Sequence, residues 1–336
     1  MQKNISSYLE QVKKIVDPVI EELLSSCLGS RFQEEVLYQV KAGGKRLRPA
    51  FVILSCKAVK GKTEDALCSA GAVEILHNYS LIIDDMIDHS EIRRGDPTLW
   101  KKLGISGAEC VAMHYASVIP KGGLKSSSPK KCVKILAEAL EVLTEGETVD
   151  VLQELKGREE ENFVKENRYK DIKIEDALMM AEKKTARLFE ASCHLGGVCG
   201  KGSSEEVELL KKYGFNLGMA FQIQDDILDI FGEEKKFGKK IGKDIEERKG
   251  GNVVVLFALE EDKKGELWEL INKEHLKDED LIRAKDIILK TEAKKRAVQL
   301  AEKYMKEARI AISEFEKNEE VGIMEDMINF MLTRKI

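Results

Sequence analysis

Proline is confined to the first part of the chain: all five lie at or before Pro129, and residues 130–336 contain none. A stretch that long without the residue that removes a backbone donor and clashes with the preceding turn is free to form one helix after another. The apolar pattern uses that freedom. Ala297, Leu300, Ala301, Tyr304, Ala308, Ala311 and Phe315 recur at steps of three and four with charges between them, the period of a helix with one apolar face. Similar patterns run through roughly 5–24, 64–90, 131–155, 174–195 and 204–231. Alternating strand-like runs are scarce and no βαβ rhythm is present, so the expectation is an all-α fold.

Punctuation falls at Gly43-Gly44, at Arg94-Gly95-Asp96-Pro97, from Pro120 to Pro129, from Gly196-Gly197 to Ser204, and from Gly232 to Gly251. These segments read as loops between helices. None is long and polar enough for an interdomain linker and no internal repeat is evident, so residues 1–336 read as one domain. Apolar residues make up 43% and charged residues 34%, a globular balance that excludes a disordered chain. Lys+Arg 55 against Asp+Glu 60 leaves a net charge of −5, so no global field favours nucleic acid or an anionic membrane. The seven cysteines include no Cys-x-x-Cys pair, and a reduced cytosol is the simplest setting. No run of about 18 apolar residues and no signal-peptide pattern at the start are present, so a soluble, cytoplasmic chain without a transmembrane segment is expected.

The strongest chemical signal is Asp84-Asp85-Met86-Ile87-Asp88, directly after the apolar run Tyr79-Ser80-Leu81-Ile82-Ile83. On a helix, Asp84 and Asp88 are one turn apart and Asp85 and Asp88 nearly so, so their carboxylates project from one face. Most acidic runs are solvated surface. Here the neighbours are apolar all round, so the helix should be buried and its carboxylates must find cations. The arrangement returns as Phe221-Gln222-Ile223-Gln224-Asp225-Asp226-Ile227-Leu228-Asp229, again within an apolar helix. Two such helices facing one another would form a cavity for hard divalent cations. Mg²⁺ takes a few carboxylates and completes its octahedron with water and phosphate oxygens, which makes a diphosphate site.

Cations occur in separate segments. Gly43-Gly44-Lys45-Arg46-Leu47-Arg48-Pro49 places three within four residues, after two glycines that allow a close turn. Taken alone, a short basic loop reads as plain surface; beside carboxylates and metal it would hold a second phosphate group. Arg93-Arg94 and Lys184-Thr185 add further candidates. His77 lies about two helical turns before Asp84, on a similar face, and reads equally as a filler or as a phosphate contact.

Taken together, GGKRLRP (43–49), EILHNYSLIIDDMIDHSEIRRGDPT (74–98), KKTARLFEA (183–191), FQIQDDILDIFG (221–232) and GKKIGKD followed by Lys249 resemble the trans-polyprenyl diphosphate synthase family, of the farnesyl and geranylgeranyl type. The likeness covers about residues 40–260, and several ordered motifs together are specific where one alone is not. It implies an isoprenoid-synthase fold, a helical bundle around a deep central cavity, usually as a homodimer. It further implies that Asp84, Asp85, Asp88, Asp225, Asp226 and Asp229 bind about three Mg²⁺ that grip an allylic diphosphate. Arg93, Lys184 and Lys239 would hold that diphosphate, with Lys240 competing for the role of Lys239 and with Thr185 and Gln222 lining the site. Isopentenyl diphosphate would lie against Lys45, Arg48, His77 and Arg94, and Lys249 would help close over both substrates. No protein nucleophile is required, which accounts for the lack of a Ser or Cys nucleophile constellation.

Several positions depart from the family pattern. Trp100 stands where a His is usual, Met113-His114 where Gly-Asp is usual, Glu147 where a Gln is usual before Asp150, and Gly250-Gly251-Asn252 follows Lys249. None removes a metal ligand, and altered packing is the plain reading of Trp100 and Met113. Tyr79, five residues before Asp84, is a bulky candidate for the floor of the product cavity, and in the family an aromatic there implies a C20 product; farnesyl or longer products are the alternatives. Two other functions compete. A class I terpene cyclase would not need Lys45, Arg48 and Arg94, and a non-catalytic subunit would not need two complete aspartate motifs.

Overall fold

The computed structural model describes residues 2–25, 29, 32–232, 242–273 and 275–332. Its helices, in chain order, are α1 (Gln2–Ser25), α2 (Gln33–Lys41), α3 (Leu47–Ala58), α4 (Thr63–Ile87), α5 (Leu99–Leu103), α6 (Ile105–Leu124), α7 (Pro129–Leu152), α8 (Asn162–Asn167), α9 (Ile174–Ala181), α10 (Arg187–Cys199) and α11 (Ser204–Phe231), followed by α12 (Lys243–Glu246), α13 (Val253–Glu261), α14 (Glu266–Ile271), α15 (Asp278–Ile288), α16 (Ala293–Ser313) and α17 (Glu319–Leu332). The all-α expectation holds. Among the described residues the one sheet is a hairpin of β1 (Ile92–Arg93) and β2 (Asp96–Pro97). Its turn residues Arg94 and Gly95 have φ of 57° and 89°, the left-handed backbone that a two-residue hairpin turn demands.

Contacts divide the chain into two compact units. The first comprises Met1–Leu143, Arg187–Phe215 and Arg309–Met327; the second comprises Thr144–Ala186, Asn216–Ala308 and Ile328–Ile336. In the first, α1 buries Ile5, Leu9, Val12, Val16, Ile20 and Leu23, a stripe at helical spacing that packs on α4. Helix α4 has no polar face: Ala70, Ala72, Val73, Ile75, Leu76 and Ile82 are all buried between α1, α3 and α6. By length and composition α4 could cross a membrane, but 67% of its apolar window is buried inside the protein.

Two expected loops are helical. Pro120 lies inside α6, where Ile119, Gly122 and Gly123 are buried; that packing outweighs the lost backbone bond. Helix α10 runs through Gly196-Gly197 because it lies directly on α3. A Cβ at Gly196 would collide with the Val52 carbonyl.

The second unit has its own core, drawn from Ile223, Ile227, Val254, Phe257, Leu267 and Ile288 among others. Helix α13 is apolar and buried from Val253 to Ala258. Its first turn is fixed by Asn252, whose side-chain oxygen accepts from Val254 N and Val255 N, a strong N-cap.

Candidate active site

In the first unit the end of α4 carries the first acidic cluster. Asp84 and Asp85 lie in the last turn and Asp88 is the C-cap residue. The hairpin returns Arg93 to these carboxylates, with Nη2 2.8 Å from Asp84 Oδ2 and Nε 2.7 Å from Asp85 Oδ1. Asp85 is only 2% exposed. Burial pushes its carboxyl up to about 6 against the pull of Arg93, and the charges of Asp84 and Asp88 add to the rise. Its second oxygen, Oδ2, is buried without a hydrogen-bond partner. Such an oxygen, beside two further carboxylates, suits a hard divalent cation.

The basic segment is built on the same unit. Gly43 and Gly44 turn with φ of 101° and 139°, leading to Arg46 and the start of α3. Arg46 is buried and committed to structure: Nε lies 2.7 Å from Asp17 and Nη1 3.2 Å from Glu74, and it also donates to the carbonyls of Gly43 and Val40. Arg94 donates to the Gly43 carbonyl, and Arg48 stacks 4.8 Å above the ring of Phe189. Lys45 is exposed. His77 is held well below its ordinary range by burial first, then by the charges of Arg48, Arg94, Arg93 and Arg46, so it faces this basic group as a neutral imidazole. Tyr79 is half-buried on α4.

Two of the departures from the family pattern, Trp100 and His114, have packing accounts, whereas Met113 is turned to solvent. Trp100 Nε1 and Thr98 Oγ1 both donate to the Ser90 carbonyl, each at 2.8 Å, anchoring the turn between α4 and β1. His114 Nε2 lies 2.8 Å from the Leu24 carbonyl in the last turn of α1.

In the second unit α11 presents the other cluster. Asp226 is 4% exposed, with Oδ2 accepting from Val253 N at 3.0 Å and Oδ1 accepting from Gln222 Nε2 at 2.9 Å. Burial, then the charge of Asp244, raises its carboxyl well above the usual range despite those bonds. Thr185 Oγ1 donates to Gln222 Oε1 at 2.7 Å, extending the chain to a second helical segment. Asp229 accepts from the backbone of Lys243 and Asp244 at 3.1 and 3.2 Å, and Asp225, next to Asp226 in sequence, is half-buried.

Lys184 and Thr185 lie in Glu182–Ala186, a single turn of π-helix between α9 and α10, a feature often found where a helix must aim side chains. Lys184 Nζ lies 2.8 Å from Asp150 Oδ2 and 3.0 Å from Glu147 Oε2. Lys249 Nζ meets the same Asp150 oxygen at 3.0 Å and Glu154 at 3.4 Å. Burial alone would raise Asp150, but the two ammonium groups outweigh it and hold its carboxyl below the usual range. In the sequence Glu147 and Asp150 stand out only as a departure from the family pattern, which does not mark their pairing with these lysines. A partial signal was present, because Glu147 and Asp150 fall at i and i+3 on one face of α7; Glu154 lies beyond the end of that helix. Lys239 and Lys240 lie outside the described residues.

Residues 30–288 match the family model described as polyprenyl synthetase. Over 309 residues, covering 90% of this chain and 89% of the relative, the sequence is 35% identical to a geranylgeranyl diphosphate synthase of Saccharolobus solfataricus. It is 37% identical over 254 residues to a short chain isoprenyl diphosphate synthase of Methanocaldococcus jannaschii, covering 74% of this chain and 73% of that one. In structure it is similar to a geranylgeranyl pyrophosphate synthetase from Pyrococcus horikoshii, with a TM-score of 0.87 and 30% identity over 99% of each chain.

Proposed function

Because this chain belongs to the polyprenyl synthetase family, we propose that it is a Mg²⁺-dependent trans-prenyl diphosphate synthase, a prenyltransferase that condenses isopentenyl diphosphate with an allylic diphosphate to give geranylgeranyl diphosphate. The two Asp-Asp-x-x-Asp clusters carry this reading. Each sits on a long apolar helix and withdraws one carboxylate, Asp85 or Asp226, from solvent, a costly arrangement that a cation offsets. Relatives named for the C20 product and the aromatic Tyr79 support the chain length.

Bound Mg²⁺ would neutralise the allylic diphosphate and make it a better leaving group. Asp84, Asp85, Asp88, Asp225, Asp226 and Asp229 would hold it. The chain's own cations do the rest. Lys184 and Lys249 stabilise negative charge as the allylic C–O bond breaks and its electron pair leaves with the diphosphate. Lys45, Arg48, Arg94 and neutral His77 orient isopentenyl diphosphate so that its double bond attacks the allylic carbon. A proton then leaves to the departing diphosphate. Breaking that C–O bond leaves a positively charged allylic carbon, and the apolar helices bearing the aspartates keep water from it. Both compact units are assembled from interleaved segments rather than contiguous pieces, so we read residues 1–336 as one catalytic domain, working as a homodimer.

The test is to incubate purified protein with Mg²⁺, labelled isopentenyl diphosphate and, separately, C5, C10 and C15 allylic diphosphates, then size the products. Incorporation ending at C20 is expected. Products of another length would overturn the chain-length assignment alone, and no incorporation by folded protein would overturn the synthase.

A further inference from the structure

Besides its aspartate cluster, the second unit contains a cavity of about 430 Å³, within the roughly 300–1,000 Å³ of small-molecule sites. Its base is aliphatic: Ile245, Leu256 and Ile271 belong to the buried core, and Leu155 and Ile172 pack against it. At the mouth stands Trp268, 47% exposed. Charged lining residues cancel. Lys170, Lys173, Arg248 and Lys249 are matched by Asp171, Glu175, Asp244 and Glu260, so the lining carries no net charge to select an anion.

One wall is also a wall of the polar cluster. Residues 248–250 pair antiparallel with 153–155: Glu154 bridges Lys249, Leu155 N donates to Arg248 O at 2.9 Å, and Gly250 N to Gln153 O at 3.2 Å. Leu155, Ile245 and Gly250 line the cavity, while the Lys249 ammonium meets Asp150 and Glu154. Arg248 pins the same segment by donating to the carbonyls of Ile271 and Lys273.

We propose that this cavity binds an uncharged, flexible aliphatic chain with a small polar end, the class of a fatty or prenyl alcohol, and that its occupant sets the placement of Lys249. Apolar walls supply the affinity and the balanced rim leaves the head group uncharged. An occupant pressing on Leu155 and Ile245 acts on the two paired segments, 153–155 and 248–250, and so on the ammonium attached to one of them. The effect on rate rests on the synthase reading; binding does not.

The full-length protein is titrated with n-decanol by calorimetry, alone and in the presence of an allylic diphosphate with Mg²⁺, and prenyl transfer is assayed with and without the alcohol. Expected are one saturable site with a negative heat-capacity change, no displacement by the diphosphate, and a kcat changed about twofold or more, the size of a weak coupling. Leu259→Trp fills the cavity and should weaken binding at least about tenfold, the equivalent of one lost apolar contact surface. Trp268→Ala, at the exposed mouth, keeps the test open if Leu259→Trp fails to fold. Absence of saturable binding, displacement by the diphosphate, or binding unchanged in both variants would overturn the site. Tighter binding of decyl phosphate than of decanol would overturn the ligand class. Binding with unchanged kcat in an active enzyme would overturn the link to Lys249.

Discussion

Asp150 Oδ2 accepts from two lysines at once, Lys184 at 2.8 Å and Lys249 at 3.0 Å. One buried carboxylate thus sets the position of two cations drawn from a π-turn and from a segment 99 residues away in sequence.

Asp150→Asn should therefore cost more than Glu147→Gln. The first substitution keeps one oxygen but loses the charge that both ammonium groups share, for about 2 kcal/mol of stability and a lower kcat/KM. In the second, the new amide oxygen still accepts from Lys184, and Lys184 keeps Asp150, so a loss of at most about 1 kcal/mol is expected. Urea unfolding of both variants alongside steady-state kinetics checks the order; equal losses would mean that the shared oxygen is not special.

Asp85→Asn tests the first acidic cluster. Asp85 Oδ1 is engaged by Arg93 and Oδ2 has no partner. The amide removes a charge where a cation is proposed and should lower kcat by at least about 100-fold, with a higher Mg²⁺ concentration for half-maximal rate. Initial rates across a Mg²⁺ series read both effects; a variant with wild-type rate and Mg²⁺ dependence would exclude Asp85 from the metal site.

Much of this was legible in the sequence, for a local reason. The aspartates of α4 and α11 stand within long apolar runs, and a charge inside an apolar helix is visible without tertiary information. The partners of those charges were not. The sequence marks Arg93 as a cation near the aspartates, but its pairing with Asp84 and Asp85 depends on the left-handed turn at Arg94-Gly95 that folds the hairpin back. Pairing of Lys249 with Asp150 depends on contacts distant in the chain, which no local period encodes. Pro120 and Gly196 read as loop signals because their propensities are unfavourable in a helix, and burial against neighbouring helices overrode them. The aliphatic cavity left no motif at all, being a gap between side chains that elsewhere simply fill the core.

Tyr79→Ala addresses product length. Tyr79 sits on α4 between His77 and the aspartates, and removing its ring should deepen the space for the growing chain. Products longer by one or more isoprene units are expected at near-normal stability, read by chromatography of the dephosphorylated products. An unchanged distribution would remove Tyr79 from the floor.

His194 makes a pH prediction away from the proposed chemistry. Burial first, then the charge of Lys211, pushes its imidazole down to about 4; Glu208 and Glu138 oppose this and Lys131 adds to it. The folded state therefore keeps His194 neutral at pH values where the unfolded chain, with an ordinary value near 6.5, already binds a proton. The sign follows: its contribution is complete above about pH 6.5 and is lost as pH falls from there toward about 4. His194→Gln cannot take up that proton, so its stability should fall less over the same interval. Because the ring is partly solvated, the difference between the two curves should be about 2 kcal/mol, roughly half of what an unscreened group would give. Urea midpoints from pH 7 to pH 4.5 measure it, and parallel curves for the two proteins would show that His194 is solvated enough to titrate normally.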